Sequence, residues 1–200
     1  MPEIKPSRKK TDDLPELVFG TYKAWGVWLS KNCSKSAGVW LKLAKKGSRI
    51  QTVSYQEAIE VAICYGWIDG HKRPCDESWW LQKFTPRGPK SIWSKINREK
   101  ANELIESGRM KPAGLKAIES AKANGRWESA YDSQRTASVP EDLQAALDNS
   151  PKARAFYATL NSANRYAILF RVQTARKQET REKRIREFIA MLERHERLHP

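Results

Sequence analysis

The stretch GWIDG at residues 66–70 lies where a predicted helix gives way to a predicted strand. Before it, Ser54-Tyr55-Gln56-Glu57 has the form of a capping box, and apolar residues then recur at helical spacing as far as Ile63. Gly66 is well placed to adopt the left-handed conformation that closes a helix. The sequence therefore predicts a helix that ends at Gly66.

Strands are predicted on both sides of this helix. A strand begins at residues 67–69, a second follows at residues 79–84, and residues 72–77 are expected to connect them. Residues 37–44 alternate between apolar and polar side chains, which is typical of a half-buried strand. Trp40 interrupts the alternation and is expected to lie on the other face.

The remaining sequence is dominated by helical patterns. Helices are predicted at residues 21–32, from near Ser94 to 107, at 112–124, and in four further segments after Val139. All eight Trp residues lie before residue 131, so we expect a boundary at residues 131–138.

The predicted fold class is α+β, with a small, mainly antiparallel sheet flanked by helices and followed by a C-terminal helical module. We expect three segments: a disordered basic arm at residues 1–13, an α+β domain at 14–130 and the helical module at 139–200. The apolar stripe of the last helix is expected to dock on the three preceding helices.

The chain of 200 residues is strongly basic, with 37 Lys and Arg against 23 Asp and Glu and a formal net charge of +14. Such a charge favours a polyanionic partner, with nucleic acid, anionic lipid head groups and cell-wall polymers as candidates. No run is long and apolar enough for a membrane span or an export signal, so we expect a cytoplasmic protein. Its three cysteines, Cys33, Cys64 and Cys75, are then expected to be free thiols.

A basic loop before the helix at Ser94 is the predicted anion-binding surface. Backbone amides and the helix dipole favour an anion at such a helix start, and nearby indoles could stack on a ligand. The predicted binding residues are Trp67, Asp69, Arg87, Lys90, Ser91, Trp93, Asn97 and Arg98, with Trp79 and Trp80 as further stacking faces. The alternative is structural: the Trp residues fill a core, and Arg87 pairs with Asp69 or Asp76.

Asp69 is also the one candidate for a catalytic residue, although an Asp before Gly is equally an ordinary turn residue. Cys64, His71, Cys75 and Asp76 lack the spacing of a zinc site, and no phosphate-binding or nucleophile motif is present. We therefore predict no metal and no cofactor, and favour a protein that is not an enzyme.

Several blocks of the chain resemble the YdeI/OmpD-associated family, also called bacteriocin-protection proteins. The N-terminal blocks are residues 62–70, 84–87, 90–98 and 108–110. The C-terminal blocks are residues 139–143, 164–166 and 180–181. The resemblance implies an association with tolerance of antimicrobial peptides and bacteriocins, but no reaction that could be assigned to individual residues.

Three functions remain open at this point. The first is a cytoplasmic binding protein with a stress or bacteriocin-resistance role that recognises an anionic partner, nucleic acid being a candidate. The second is an enzyme that acts on a small anionic metabolite or nucleotide around Asp69. The third is an adaptor that docks another protein through the C-terminal helices, which predicts exposed apolar side chains on the last two helices.

Overall fold

The structure, a computed structural model, describes residues 13–200, and the predicted basic arm falls outside this range except for Asp13. The chain divides into two compact units. The first comprises the residues up to Ser91 together with Glu99–Asn124, and the second comprises Ile92–Arg98 together with Gly125–Pro200.

The first unit contains a four-stranded sheet. Its strands are β1 (Glu16–Leu17), β2 (Val39–Ala44), β3 (Trp67–Pro74) and β4 (Trp79–Pro86). They lie in the order β1-β2-β4-β3, with β1 parallel to β2 and the other neighbours antiparallel. The predicted small, mainly antiparallel sheet is confirmed.

Four helices accompany this sheet in the sequence: α1 (Tyr22–Asn32), α2 (Tyr55–Cys64), α3 (Lys95–Glu106) and α4 (Pro112–Ala123). The division between the units falls within α3. The capping box of α2 is formed, because the Ser54 hydroxyl accepts from the Glu57 amide and the Glu57 carboxylate accepts from the Ser54 amide. The helix predicted on the N-terminal side of GWIDG is therefore confirmed.

Aromatic rings fill the core between the sheet and the helices α1 and α2. Trp25, Trp67 and Phe84 are completely buried, and Trp28 stacks on Trp25 at a centroid distance of 5.4 Å. Trp67 meets Trp25 edge to face at 6.3 Å, and its indole N–H donates to the Cys33 carbonyl at 3.1 Å. A buried indole needs such a partner, so this hydrogen bond fixes the start of β3 within the core.

Gly66 joins α2 to β3 in a conformation that other residues rarely adopt. Its φ is +70°, and a Cβ added there would lie 2.7 Å from the carbonyl oxygen of Ala113 in α4. Both the backbone angle and the close approach of α4 therefore require glycine. The prediction that α2 closes at Gly66 is confirmed.

β3 is longer than the sequence pattern predicted. Residues 72–77 were expected to be a connection, but β3 continues to Pro74 and leaves only four residues before β4. The strand contains a bulge, because Asp69 pairs with Phe84 whereas Lys72 pairs with Gln82, so that Gly70 and His71 together oppose Lys83.

The buried side chain of Gln82 stabilises this bulge. Gln82 is 3% exposed, and its amide nitrogen donates to the carbonyl of Gly70 at 2.8 Å and, less closely, to that of His71 at 3.4 Å. These bonds satisfy carbonyl groups that the irregular register leaves outside the regular ladder.

The second unit is built mainly from four helices: α5 (Glu141–Asp148), α6 (Pro151–Thr159), α7 (Ser162–Gln173) and α8 (Gln178–Glu193). Ile185, Phe188 and Leu192 of α8 belong to one buried cluster with apolar residues of α5, α6 and α7. The predicted docking of the last helix on its three predecessors is confirmed, and with it the α+β fold followed by a helical module.

A bidentate ion pair joins α5 to α8. The guanidinium of Arg181 donates to both carboxylate oxygens of Asp142, at 2.5 and 2.8 Å, and also to the Val172 carbonyl at 2.9 Å. The hydrogen bonds from Arg181 hold the pKa of Asp142 below its usual value.

We predict that Gly66→Ala destabilises the protein more than Gly108→Ala. Gly108 has nearly the same φ, +67°, but a Cβ there would meet nothing within 4 Å. Gly108→Ala should therefore lower the free energy of unfolding by about 1–2 kcal/mol through backbone strain alone. Gly66→Ala should cost about 1–3 kcal/mol more, because Ala113 must also move. Urea unfolding followed by circular dichroism measures both, and equal losses would contradict the close approach of α4.

We also predict that Asp142 makes stability depend on acidic pH. Because its pKa is lowered in the folded state, its contribution is complete above the pKa of an unfolded Asp, about 4, and is lost as the pH falls through the lowered value. Urea midpoints at pH 7 and pH 3 should therefore differ less in Asp142→Asn than in the wild type. The control is Asp148→Asn, which replaces another acid of α5 and removes its exposed ion pair with Arg154. This variant should retain the wild-type difference between the two urea midpoints.

Candidate functional site

The two faces of the sheet carry different side chains. One face supplies Val39, Leu41, Leu43 and Phe84 to the buried core. Cross-strand partners share a face, so the pairs of Trp40 with Lys83 and Ala44 with Trp79 lie on the opposite side. This second face therefore combines indoles with cations.

The bulge in β3 brings Arg73 to this second face, opposite Leu81. The Arg73 guanidinium carbon lies 4.3 Å from the centre of the Trp40 ring, and Nη2 reaches the Glu16 carboxylate at 2.5 Å. Lys83 Nζ lies 5.7 Å from the same ring. Trp40 is thus only 5% exposed on a face that carries solvent-accessible cations, because a cation–π contact and aliphatic stems cover it.

A second indole on this face has its own cation. Lys42 Nζ lies 5.0 Å from the centre of the Trp79 ring and 4.0 Å from the Asp76 carboxylate. The other oxygen of Asp76 accepts from the amides of Ser78 and Trp79, both at 2.9 Å. These hydrogen bonds lower the pKa of Asp76, and the one from the Ser78 amide has the largest effect. The Asp76 carboxylate therefore closes the hairpin turn as an anion.

The hairpin also bears a depression of about 400 Å³ lined by Lys45, Lys72, Arg73, Pro74 and Trp80. Lys45 and Lys72 are exposed, and neither forms an ion pair with another residue in the described range 13–200. The basic hairpin surface, as we define it, comprises two adjoining parts: Trp40, Lys42, Arg73, Trp79 and Lys83 on the second face, and Lys45, Lys72 and Trp80 in the depression. Trp80 pairs with Leu43 and Lys72 with Gln82, so these two residues belong to the core side of the sheet.

The predicted binding residues of the first unit lie elsewhere and have varied roles. Trp67 is completely buried, and the Asp69 carboxylate accepts a hydrogen bond from the Tyr55 hydroxyl at 2.7 Å. Arg87 is half-buried, with Nε and Nη2 shielded from solvent and its amide donating to the Gly66 carbonyl. Ser91 accepts from the Gly88 amide in a local turn, while Lys90 is exposed.

The predicted residues of the second unit have structural contacts. Trp93 is 2% exposed and packs edge to face on Trp127 at 4.9 Å, and Arg98 donates to the Trp127 carbonyl at 3.3 Å. At the start of α3, the amide of Lys95 donates to the Tyr131 carbonyl and that of Asn97 to the Ser94 hydroxyl. Two of the amides expected to receive an anion are therefore already occupied.

Burial decides which indoles can contact a ligand. Trp67 and Trp93 are enclosed and have no face for stacking, which corrects the expectation for these two residues. Trp79 is half-buried on the second face, and Trp80 is half-buried on the core side, where its ring meets that of Tyr55 at 5.5 Å. The sequence interpretation missed Trp40, Lys42, Arg73 and Lys83 as parts of a site, although the alternation along residues 37–44 had indicated a second face at Trp40.

Further expectations concern the cysteines, metal ligands, membrane spans and exposed apolar side chains of the described residues 13–200. All three cysteines are free thiols, as predicted. Within this range, no three His, Cys, Asp or Glu side chains are grouped so that they could hold a metal ion. The helices there are too short or too polar to cross a membrane. The strongly exposed large apolar side chains of this range all precede residue 116, so none lies on α7 or α8.

Comparison with protein families gives two adjacent matches. Residues 17–117, just over half of the chain, match the family described as "Domain of unknown function (DUF8412)". Residues 136–195 match the family described as "Bacteriocin-protection, YdeI or OmpD-Associated". The chain belongs to the DUF8412 family, and its C-terminal part contains a domain that matches the YdeI/OmpD-associated model. The recognition of the YdeI/OmpD-associated family is confirmed for the C-terminal blocks, and this domain links the protein to bacteriocin protection. The N-terminal blocks lie within the DUF8412 match. No curated protein and no solved structure matched the chain.

The distinctive polar residues of the YdeI/OmpD-associated domain serve its folding. Asp142 and Arg181, from two of the recognised blocks, form the ion pair between α5 and α8. Asn164, from a third block, is 1% exposed and exchanges hydrogen bonds with the backbone of His199. The blocks that identify the domain therefore describe its architecture, and the basic hairpin surface lies in the DUF8412 region.

Proposed function

We propose that the protein binds an anionic partner, preferentially single-stranded nucleic acid, through the basic hairpin surface, and that it does so in the cytoplasm in a stress or bacteriocin-resistance role. One observation carries the proposal: cations from three strands lie over or beside indoles on the same part of the sheet. The link to bacteriocin resistance rests on the YdeI/OmpD-associated domain.

Single-stranded nucleic acid suits this combination because it presents phosphates and unstacked bases together. Lysines beside a rigid aromatic platform neutralise the phosphates while bases stack on exposed rings. Trp79 provides an indole on the second face, and Trp80 provides another in the depression beside Lys45 and Lys72. The Arg73 side chain is 39% exposed above Trp40, so a base can stack on the outer side of its guanidinium.

The two acids of the surface leave an excess of positive charge. Glu16 contacts Arg73, and Asp76 contacts Lys42 while it holds the turn. Lys45 and Lys72 are not part of either pair, so their ammonium groups can contact the phosphates of a ligand. A stacking contribution also distinguishes nucleic acid from polyanions without bases, which gain only the electrostatic part of the binding free energy.

The test is a titration of a fluorescein-labelled oligothymidylate with the full chain, followed by anisotropy at several salt concentrations. We predict saturable binding that is lost in part when Lys45 and Lys72 are both replaced by Gln. The slope of log affinity against log salt concentration should fall by about 1.4, since each phosphate contact to a single strand contributes about 0.7.

The matched control combines Lys116→Gln with Lys152→Gln, because it removes the same number of positive charges from exposed positions on α4 and α6. This control should keep the wild-type slope and affinity. If both double variants lose the same affinity, binding reflects net charge and the surface is wrongly assigned. An unlabelled polyphosphate that competes as well as the oligonucleotide would contradict the role of the indoles.

A further inference from the structure

The first unit contains another concave site, which shares no residue with the basic hairpin surface. It has a volume of about 360 Å³ and is lined by α1, α2 and residues between Leu104 and Lys111. This volume lies near the lower end of the range of about 300–1,000 Å³ that is typical of small-molecule sites. Nothing in the proposed function uses it.

The pocket is apolar and partly uncovered. Val61 and Leu104 are buried in its wall. Tyr22 and Val27 of α1 also line it, yet they are 41% and 56% exposed. Large apolar side chains beside a cavity gain from being covered by an apolar ligand. Gly26 between them has no side chain, which keeps this part of the pocket open.

Positive charge surrounds this apolar wall. Lys23, Arg109 and Lys111 line the pocket, and Glu60 is its one acid. The Glu60 carboxylate already contacts Arg109 at 3.3 Å and Lys100 at 3.4 Å. Lys23 and Lys111 form no ion pair with another residue of the described range. An anionic group is therefore favoured at this rim.

The Cys64 thiol adds no negative charge to the wall. Cys64 is 7% exposed, and burial raises its pKa, although Arg109 and Lys111 act in the opposite direction. The thiol is therefore a small neutral group that contributes to the apolar lining.

We propose that this pocket binds a small amphipathic molecule with an apolar aromatic or medium-chain body and a single acidic group. The body lies against Val27, Val61 and Leu104, and the acidic group lies between Lys23 and Lys111. The inference stands independently of nucleic-acid binding, because the two sites have no residue in common.

The first experiment uses 8-anilinonaphthalene-1-sulfonate, an aromatic monoanion whose fluorescence rises in apolar surroundings, with the full chain. We expect one saturable site from which decanoate displaces the probe. Decanol has the same chain length without the charge and should displace it about tenfold less well. Equal displacement by the two compounds would overturn the assignment of an acidic group.

Gly26→Met fills the pocket without disturbing the fold, since a Cβ at Gly26 meets only the Val61 side chain, at an ordinary distance of 3.7 Å. It should weaken probe binding at least about tenfold while the circular dichroism spectrum stays unchanged. Unchanged binding in a folded Gly26→Met variant would show that the probe binds elsewhere and would overturn the proposal.

Lys111→Gln tests the charged rim, with Lys116→Gln on the exposed side of α4 as its control. We expect about tenfold weaker binding of decanoate to Lys111→Gln, as for a lost charge-assisted hydrogen bond, and wild-type binding to Lys116→Gln. Equal effects of the two substitutions, or none, would overturn the placement of the acidic group. Nucleic-acid affinity should be the same in all three variants, so failure of either proposal is recognisable on its own.

Discussion

The backbone contact between Gly66 and α4 is the constraint on which the first unit depends. The Ala113 carbonyl occupies the space that a side chain at position 66 would need. A second glycine, Gly114, lets the start of α4 approach the carbonyl of Cys64, since a Cβ there would lie 2.4 Å from it. The end of α2 and the start of α4 thus meet without side chains between them, and Trp67 enters the aromatic core directly after this contact.

Features encoded within a few residues could be predicted from the sequence. The capping box at Ser54, the closure of α2 and the stripe on α8 each depend on local spacing, and all three are present. The length of β3 could not be predicted in this way. It depends on pairing with β4 and on hydrogen bonds from the buried Gln82, which lies ten residues beyond Lys72 in the sequence.

The candidate site follows the same division. Composition indicated a basic surface with indoles, but most of the residues predicted to form it were neighbours in the sequence. The hydroxyls of Ser91 and Ser94 accept hydrogen bonds from nearby backbone amides, and Trp93 packs against Trp127. The cations that lie beside Trp40 and Trp79 come from different strands, so only the register of the sheet brings Lys42, Arg73 and Trp79 to one side.

The bulge at Gly70 and His71 decides which residues of β3 share a face of the sheet. Asp69 and Arg73 are four residues apart, so they would lie on the same face of a regular strand. The additional residue shifts the alternation, and Asp69 therefore pairs with Phe84 on the core face while Arg73 pairs with Leu81 on the second face. One strand thus directs an acid toward α2, where the Tyr55 hydroxyl donates to it, and a cation to the opposite side of the sheet.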